Sequence, residues 1–214
     1  MSASTGRLAE TFAAIDAANA EDPRKVETND GETGFEELYA RRMSETLARV
    51  YPEASDLLKI AVRAQHLRRW EIPRANFPEG RQGYNDWRKT CRAHHAERAG
   101  AIMRGLGWSE ADAARVGALI RKERLKKDSE SQALENVAAL VFLEHYFDDF
   151  LAKYQSYDDE KIVDILGKTL CKMSPRGHAA ALALSLAPRA QGLVAKAIER
   201  EAAALARLAE VAVD

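Results

Sequence analysis

The sequence predicts an all-α protein that folds as one compact helical bundle. Apolar residues recur at spacings of three and four in one segment after another, which is the pattern of helices with one buried face. Proline and glycine residues separate these segments, as expected for the connections. No apolar-polar alternation extends beyond a few residues, so no strand is predicted. With 214 residues, 46% of them hydrophobic, the chain is long enough for one ordinary core.

The first helices are delimited by proline. An apolar pattern over residues 8–18 stops at Asp22-Pro23, and residues 23–34 are predicted to be a polar loop. A second stripe covers residues 35–50 and stops at Tyr51-Pro52. The third predicted helix reaches Trp70, before Ile72-Pro73. A loop over residues 75–85 then contains Pro78 and two glycines, and long loops of this kind are often functional.

The second half of the chain shows the same pattern. A long helix begins around Trp87 and ends at Gly107, and Ser109 caps its successor. Residues 131–154 are predicted to form one helix, Ser174-Pro175 begins another, and residues 187–213 form an amphipathic helix that could pair with a second copy in a homodimer. The predicted organisation is an N-terminal helix and loop (1–32), a core (33–155) and a C-terminal helical extension (156–214).

Charge is distributed unevenly. Residues 61–104 contain ten Lys and Arg against four acidic residues, a net charge of +6, whereas the whole chain carries −1. The overall balance lacks the strong basic excess of a typical nucleic-acid-binding domain. The basic segment is nevertheless expected to attract an anion.

Other features narrow the class of protein. No run approaches the roughly 20 apolar residues that span a bilayer, and the N-terminus has no secretory signal pattern. Cys91 and Cys171 lie far apart and lack metal-type spacing, which is typical of free thiols in a reducing compartment. We therefore expect a cytoplasmic protein without membrane association.

Three residues are candidates for a catalytic metal site. His66, His95 and Glu144 come from successive predicted helices, and each occupies an inward-facing position of its pattern. Imidazole and carboxylate groups are ligands of Zn, Mn and Fe, so one divalent ion is the predicted cofactor. The alternative is that each histidine is a structural residue that bonds to a backbone carbonyl or a neighbouring acid.

Six further residues are candidates for substrate binding. Arginine and lysine can hold phosphate or carboxylate oxygens, and aromatic rings can stack on a base. The alternatives are a solvated basic face and hydrophobic packing of the loop. The candidates are Arg69, Arg74, Tyr84, Trp87, Arg88 and Lys122. No glycine-rich phosphate loop, nucleophile elbow or HExxH motif accompanies them.

Two family resemblances connect these residues. Over residues 61–182, the segments AQHLRRWEIPR, GYNDWR, HAERAGAIMR, LIRKERLK, ENVAALVFLEHYFDDF and DILGKTLCKMSPRGHAAAL resemble the uncharacterised family called domain of unknown function 4202. That family name implies no activity.

The order of elements is also similar to the HD superfamily of metal-dependent phosphohydrolases, with AVRAQHLRRWEIPR at the position of the His-Asp pair. The resemblance implies that His66 and His95 keep two metal-binding histidines, with His94 as the alternative to His95, and that Glu144 replaces the last aspartate. Leu67 stands where the Asp of the pair is expected, and Arg121-Lys122 replaces a further histidine. The first histidine of the superfamily falls near Tyr39 or Arg42.

Three hypotheses follow. In the first, a metal on His66, His95 and Glu144 activates water for hydrolysis of a phosphoester. In the second, a catalytically inactive HD-like module uses the same cationic pocket to bind a phosphorylated small molecule or nucleotide. In the third, the chain is a structural or interaction protein whose basic segment faces RNA or an acidic protein.

Overall fold

The computed structural model describes residues 3–29 and 31–213, and it confirms the all-α class. The helices are α1 (Ala3–Ala20), α2 (Phe35–Val50), α3 (Asp56–Arg63), α4 (Gly80–Gly105), α5 (Glu110–Arg121), α6 (Ser129–His145), α7 (Phe147–Lys153), α8 (Asp159–Leu170), α9 (Pro175–Leu182) and α10 (Pro188–Ala209). Short 3-10 turns cover Arg69–Glu71 and Arg74–Asn76. Within the described ranges, no helix is both long and apolar enough to cross a bilayer.

The predicted polar loop 23–34 is wrong in part. Strands β1 (Lys25–Thr28) and β2 (Gly31–Gly34) pair antiparallel, with Lys25 opposite Gly34. Polar side chains on a short, mostly exposed hairpin produce no hydrophobic alternation, which is why the sequence pattern missed it. Asp30 of the connecting turn lies outside the described residues.

Two predicted helices are shorter than expected. α3 ends at Arg63, and the chain then turns through residues 64–68, where Arg68 adopts a left-handed conformation with φ of 53°. The predicted helix over residues 131–154 is divided at Tyr146 into α6 and α7. Apolar spacing continued through both interruptions, so periodicity alone could not detect them. Conversely, α4 begins at Gly80, so Tyr84 lies on a helix and not in the predicted loop.

Local capping follows the sequence. The Ser109 hydroxyl accepts from the Asp112 backbone N–H while the Asp112 carboxylate accepts from the Ser109 N–H, a reciprocal pair that fixes the start of α5. α9 begins at Pro175 directly after Ser174, as predicted.

Chain contacts divide the protein into an N-terminal unit (residues 1–123) and a C-terminal unit (residues 124–214). In the N-terminal unit, α4 packs on α5, and α3 packs on α2 and α5. Its core includes Met43, Ile60, Leu67, Met103 and Ile120, all fully buried. In the C-terminal unit, α8 packs on α10 and α6 packs on α9.

Candidate functional site

The structure brings two of the predicted site residues together in the N-terminal unit. The centroids of the His66 and His95 rings lie 6.0 Å apart. His95 comes from the middle of α4, and its side chain is only 1% exposed. His66 lies in the turn after α3 and is 20% exposed, so it can be reached from solvent. The sequence therefore identified a real histidine pair from positions 29 residues apart.

Leu67 explains how the turn after α3 holds this pair. Its side chain is fully buried, and its backbone carbonyl accepts a hydrogen bond from His95 Nδ1 at 2.8 Å. An aspartate at this position would place an unpaired carboxylate in an apolar core, at high energetic cost. Leu67 therefore belongs to the core, and its backbone carbonyl orients the second histidine.

Glu36, at the start of α2, orients the first histidine. The Glu36 side chain is 1% exposed, and its Oε2 lies 3.1 Å from His66 Nδ1. Arg24 Nη2 donates to the other oxygen, Oε1, at 2.7 Å. The Tyr39 ring stacks on the imidazole of His66, with the ring centroids 3.9 Å apart and an interplanar angle of 10°. The hydrogen bond and the stacked ring together fix the orientation of the His66 imidazole.

Asp22 holds Arg24 and Glu36 in position. It is fully buried, accepts from the backbone N–H of Arg24 at 2.9 Å and of Glu36 at 3.1 Å, and pairs with the Arg24 guanidinium. The hairpin therefore serves to return Arg24 to the start of α2. Close packing also requires a glycine here, since a Cβ on Gly34 would lie 2.7 Å from the Asn19 carbonyl oxygen.

The hydrogen bonds define the tautomers of both rings. Arg69 Nη1 lies 2.8 Å from His66 Nε2, and a guanidinium can only donate, so Nε2 carries the lone pair and Nδ1–H donates to Glu36. The Leu67 carbonyl can only accept, so His95 also has its proton on Nδ1. His95 Nε2 is buried and has no hydrogen-bond partner within the described part of the chain.

Burial and positive charge keep both rings neutral. The pKa of His66 lies well below its ordinary value because of desolvation, reinforced by the charges of Arg69, Lys122, Arg88 and Arg24. Burial lowers the pKa of His95 to about 3, with a further contribution from His66. Burial also raises the pKa of Glu36, and the hydrogen bond from Arg24 opposes that shift. The pair therefore consists of two neutral imidazole rings, each with a lone pair on Nε2, surrounded by cationic side chains.

The other predicted binding residues divide into two groups. Arg69, Arg88 and Lys122 all act electrostatically on His66, and Trp87 lies beneath the Arg69 guanidinium, 4.5 Å from ring centroid to Cζ. Tyr84 is 45% exposed next to Trp87. Arg74, in contrast, donates to the carbonyls of Phe77 and Pro78 and thereby closes its own loop. A role for Arg74 in binding stays a prediction.

Glu144 is not the buried carboxylate that its place in the pattern predicted. It belongs to α6 in the C-terminal unit, its side chain is 25% exposed, and its Oε2 lies 3.9 Å from His145 Nε2. α6 ends one residue later, at His145. Among the described residues, no group of three or more His, Cys, Asp or Glu side chains is arranged to hold a metal ion. A metal on His66, His95 and Glu144 stays a prediction.

Sequence reasoning missed Asp22, Arg24 and Glu36. Glu36 could have been found, because it precedes Tyr39 and Met43 by three and seven residues and so shares the buried face of α2. Arg24 and Asp22 gave no comparable signal, since they lie outside any periodic segment. Tyr39, by contrast, was marked by the HD resemblance and does contact His66.

Cys91 and Cys171 are both free thiols, as predicted. Cys91 is buried on α4 near the cationic shell, and burial raises the pKa of its thiol. It is therefore protonated at neutral pH, which makes it a poor nucleophile in this position.

The fold and the site define an all-α protein whose N-terminal unit encloses a neutral histidine pair within a shell of arginine and lysine. The family model for domain of unknown function 4202 matches residues 9–194, and the chain belongs to that family. Searches of curated proteins and of solved structures found no match.

Proposed function

We propose that the N-terminal unit binds the phosphate group of a phosphorylated small molecule at His66, His95 and Arg69. The observation that carries the proposal is the charge around His66. Four cationic side chains act on this ring, Arg24, Arg69, Arg88 and Lys122, and desolvation adds to their effect. Arg24 is paired with Asp22 and Glu36, whereas Arg69 donates to the neutral ring of His66. A dianion would neutralise this excess of positive potential.

The hydrogen-bonding groups suit a phosphate. Arg69 presents a planar fork of donors beside Nε2 of His66, and such forks match phosphate oxygens in pairs. His95 Nε2 offers a buried acceptor for a ligand O–H, such as a protonated phosphate oxygen or a sugar hydroxyl. The Trp87 ring packs against the Arg69 guanidinium and keeps it close to His66 through a cation–π contact.

Binding should be coupled to protonation of His66. The free site disfavours the imidazolium because its surroundings are cationic. A bound phosphate removes that repulsion, and the proton on Nδ1 is already held by Glu36, so a second proton on Nε2 becomes favourable once Arg69 turns to the ligand. Phosphate affinity should therefore increase as the pH falls from neutrality.

Titration calorimetry with inorganic phosphate at low ionic strength tests the proposal. Binding should weaken as salt is added, and Arg69→Gln should weaken it by about tenfold or more. Lys89→Gln is a matched control, since it removes one charge from an exposed position of the same basic segment. It should change affinity by less than about twofold, as a charge outside the site is screened by solvent. Absence of binding to the natural sequence, or equal losses in both variants, contradicts the proposal.

A second candidate, metal-dependent hydrolysis of the phosphoester, is favoured by one observation. Both rings use Nδ1 to donate to an oxygen, Glu36 Oε2 for His66 and the Leu67 carbonyl for His95. Metal-bound histidines usually have this arrangement, with Nε2 left for the ion. A divalent ion there would act as a Lewis acid. The Arg69 contact with His66 Nε2 opposes it, because that guanidinium must move before an ion can bind.

Equilibrium dialysis with Zn²⁺ and Mn²⁺ separates the two candidates. Hydrolysis requires stoichiometric metal that His66→Asn and His95→Asn both abolish, together with phosphatase activity that a chelator removes. Phosphate binding that is unchanged by chelator, without turnover of a phosphomonoester, identifies a binding module. Loss of phosphate binding together with retained binding of RNA or an acidic protein would favour the interaction hypothesis instead.

A further inference from the structure

We infer that the ligand of this site is a nucleotide whose base stacks on Tyr84, an inference about the same site that rests on the proposed phosphate binding. Tyr84 is 45% exposed, which is unusual for a large aromatic side chain in the described structure. Its ring lies 5.7 Å from that of Trp87, at an angle of 46°. An accessible aromatic face next to an anion site is the combination that nucleotides require.

The aromatic pair and the cationic shell share the same arginines. The Arg69 guanidinium lies 2.8 Å from His66 Nε2 and also covers the Trp87 ring. Arg88 lies over the Tyr84 ring at 5.8 Å, and its charge also reaches His66. Each arginine therefore connects the histidine pair to one ring. A ligand that contacts Arg69 through its phosphate is within reach of the Tyr84 face through the remainder of the molecule.

A hydrogen bond fixes the orientation of the Trp87 ring, against which Tyr84 packs. Trp87 Nε1 donates to the Ile72 carbonyl at 2.8 Å, so the indole cannot rotate away from Arg69. Tyr84 precedes Trp87 by three residues on α4, which places both side chains on one face of the helix. Prepared rings lose little conformational freedom when a base stacks on them, so stacking contributes directly to affinity.

The aromatic and cationic side chains determine which kind of ligand group the surface should bind. Stacking and cation–π contacts select a flat, electron-rich ring and tolerate different bases, because every base has a π face. The site should therefore prefer a nucleoside monophosphate to a sugar phosphate of the same charge. Discrimination between bases should be weak.

Titration calorimetry with adenosine monophosphate, ribose 5-phosphate and inorganic phosphate tests the inference. Adenosine monophosphate should bind about tenfold more tightly than ribose 5-phosphate, and Tyr84→Ala should remove this preference while binding of inorganic phosphate is unchanged. Tyr84→Phe should keep the preference, because it retains the ring. Tyr157→Ala removes a tyrosine ring of the C-terminal unit and serves as the control. It should leave the affinities for all three ligands as they are.

The outcomes separate the two claims. If all three ligands fail to bind, the phosphate site itself is wrong. If inorganic phosphate and ribose 5-phosphate bind but adenosine monophosphate gains nothing, or if Tyr84→Ala keeps the gain, the phosphate site stands and the stacking inference is overturned.

Discussion

Each unit of the chain contains a buried polar cluster, and the two clusters are built differently. In the C-terminal unit, Asn136 is fully buried and donates to the Ser174 hydroxyl, while its oxygen accepts from Gln132 and from the Ser174 N–H. Gln132 also donates to the Lys172 carbonyl. In the N-terminal unit, the histidine pair leaves the buried Nε2 of His95 without a partner among the described residues.

The difference distinguishes a structural cluster from the proposed binding site. Neutral amides and hydroxyls that satisfy one another in a core fix its geometry and have no capacity left for a ligand. The histidine cluster instead keeps an acceptor available and surrounds it with cations. Unsatisfied buried groups and uncompensated charge cost stability and persist at functional sites. Perturbing the first cluster should thus affect folding, and perturbing the second should affect binding.

The largest effect is expected for Asn136→Ala. The substitution removes the hydrogen bonds of the buried Asn136 side chain with Gln132 and Ser174, which should lower the free energy of unfolding by about 3–4 kcal/mol. Urea denaturation followed by circular dichroism measures the change. Phosphate affinity at low temperature, where the variant is still folded, should match that of the natural sequence. A loss of affinity without a loss of stability would reverse the assignment of roles.

The histidine pair should make stability depend on pH. His95 has a pKa of about 3 in the folded protein but an ordinary value near 6.5 when unfolded. Between these values the unfolded chain binds the extra proton, so this contribution to stability is complete above about pH 6.5 and falls as the pH decreases. At about pH 5 the loss should be about 2 kcal/mol for His95 alone.

Denaturation of a His95→Asn variant isolates the contribution of His95 to the pH dependence of stability. Asparagine keeps an N–H donor near the position of Nδ1 for the Leu67 carbonyl but cannot be protonated. The decrease in stability from about pH 8 to about pH 5 should be smaller in the variant by about 2 kcal/mol. Identical decreases in the two proteins would show that His95 is not buried in its neutral form.

The sequence predicted the surroundings of the histidine cluster better than its interior. His66, His95, Arg69, Arg88 and Lys122 were identified from their residue types and position in a basic segment, and the structure shows that the other four contact His66 or act on it electrostatically. Periodicity placed them on helices close in the chain order. Arg24 escaped because its role depends on a hairpin whose polar residues carry no pattern, whereas Glu36 shares the buried face of α2 and could have been found.

The Asn136 cluster shows a different limit. Asn136 and Ser174 lie 38 residues apart, and neither residue type indicates burial. Only the packing of α6 on α9 makes them partners. Glu144, on the same helix, illustrates the converse error, because an apolar pattern implied burial where the helix was about to end.

Gly177→Ala should have a smaller effect and tests how tightly the structural cluster is packed. A Cβ at this position would lie 2.7 Å from the Cγ and Oδ1 of Asn136, too close for an ordinary contact. Alanine gains about 1 kcal/mol of helix propensity in α9, but overpacking costs roughly 1–3 kcal/mol. We expect a net loss of about 1 kcal/mol. Gly192→Ala in α10, where no atom lies within 4 Å of the added carbon, is the control and should be stabilising.

The smallest effect on stability is expected for Arg74→Gln. This substitution tests whether the proposed binding site extends as far as Arg74. Arg74 donates to the carbonyls of Phe77 and Pro78, and the second bond is exposed, so its loss should cost only about 0.5 kcal/mol. If Arg74 serves only the loop, phosphate affinity should stay within about twofold of the natural sequence, whereas Arg69→Gln reduces it about tenfold. Calorimetry of both variants in one buffer makes the comparison. A tenfold loss in Arg74→Gln would extend the cationic shell across the loop and place the phosphate nearer Pro78 than His66.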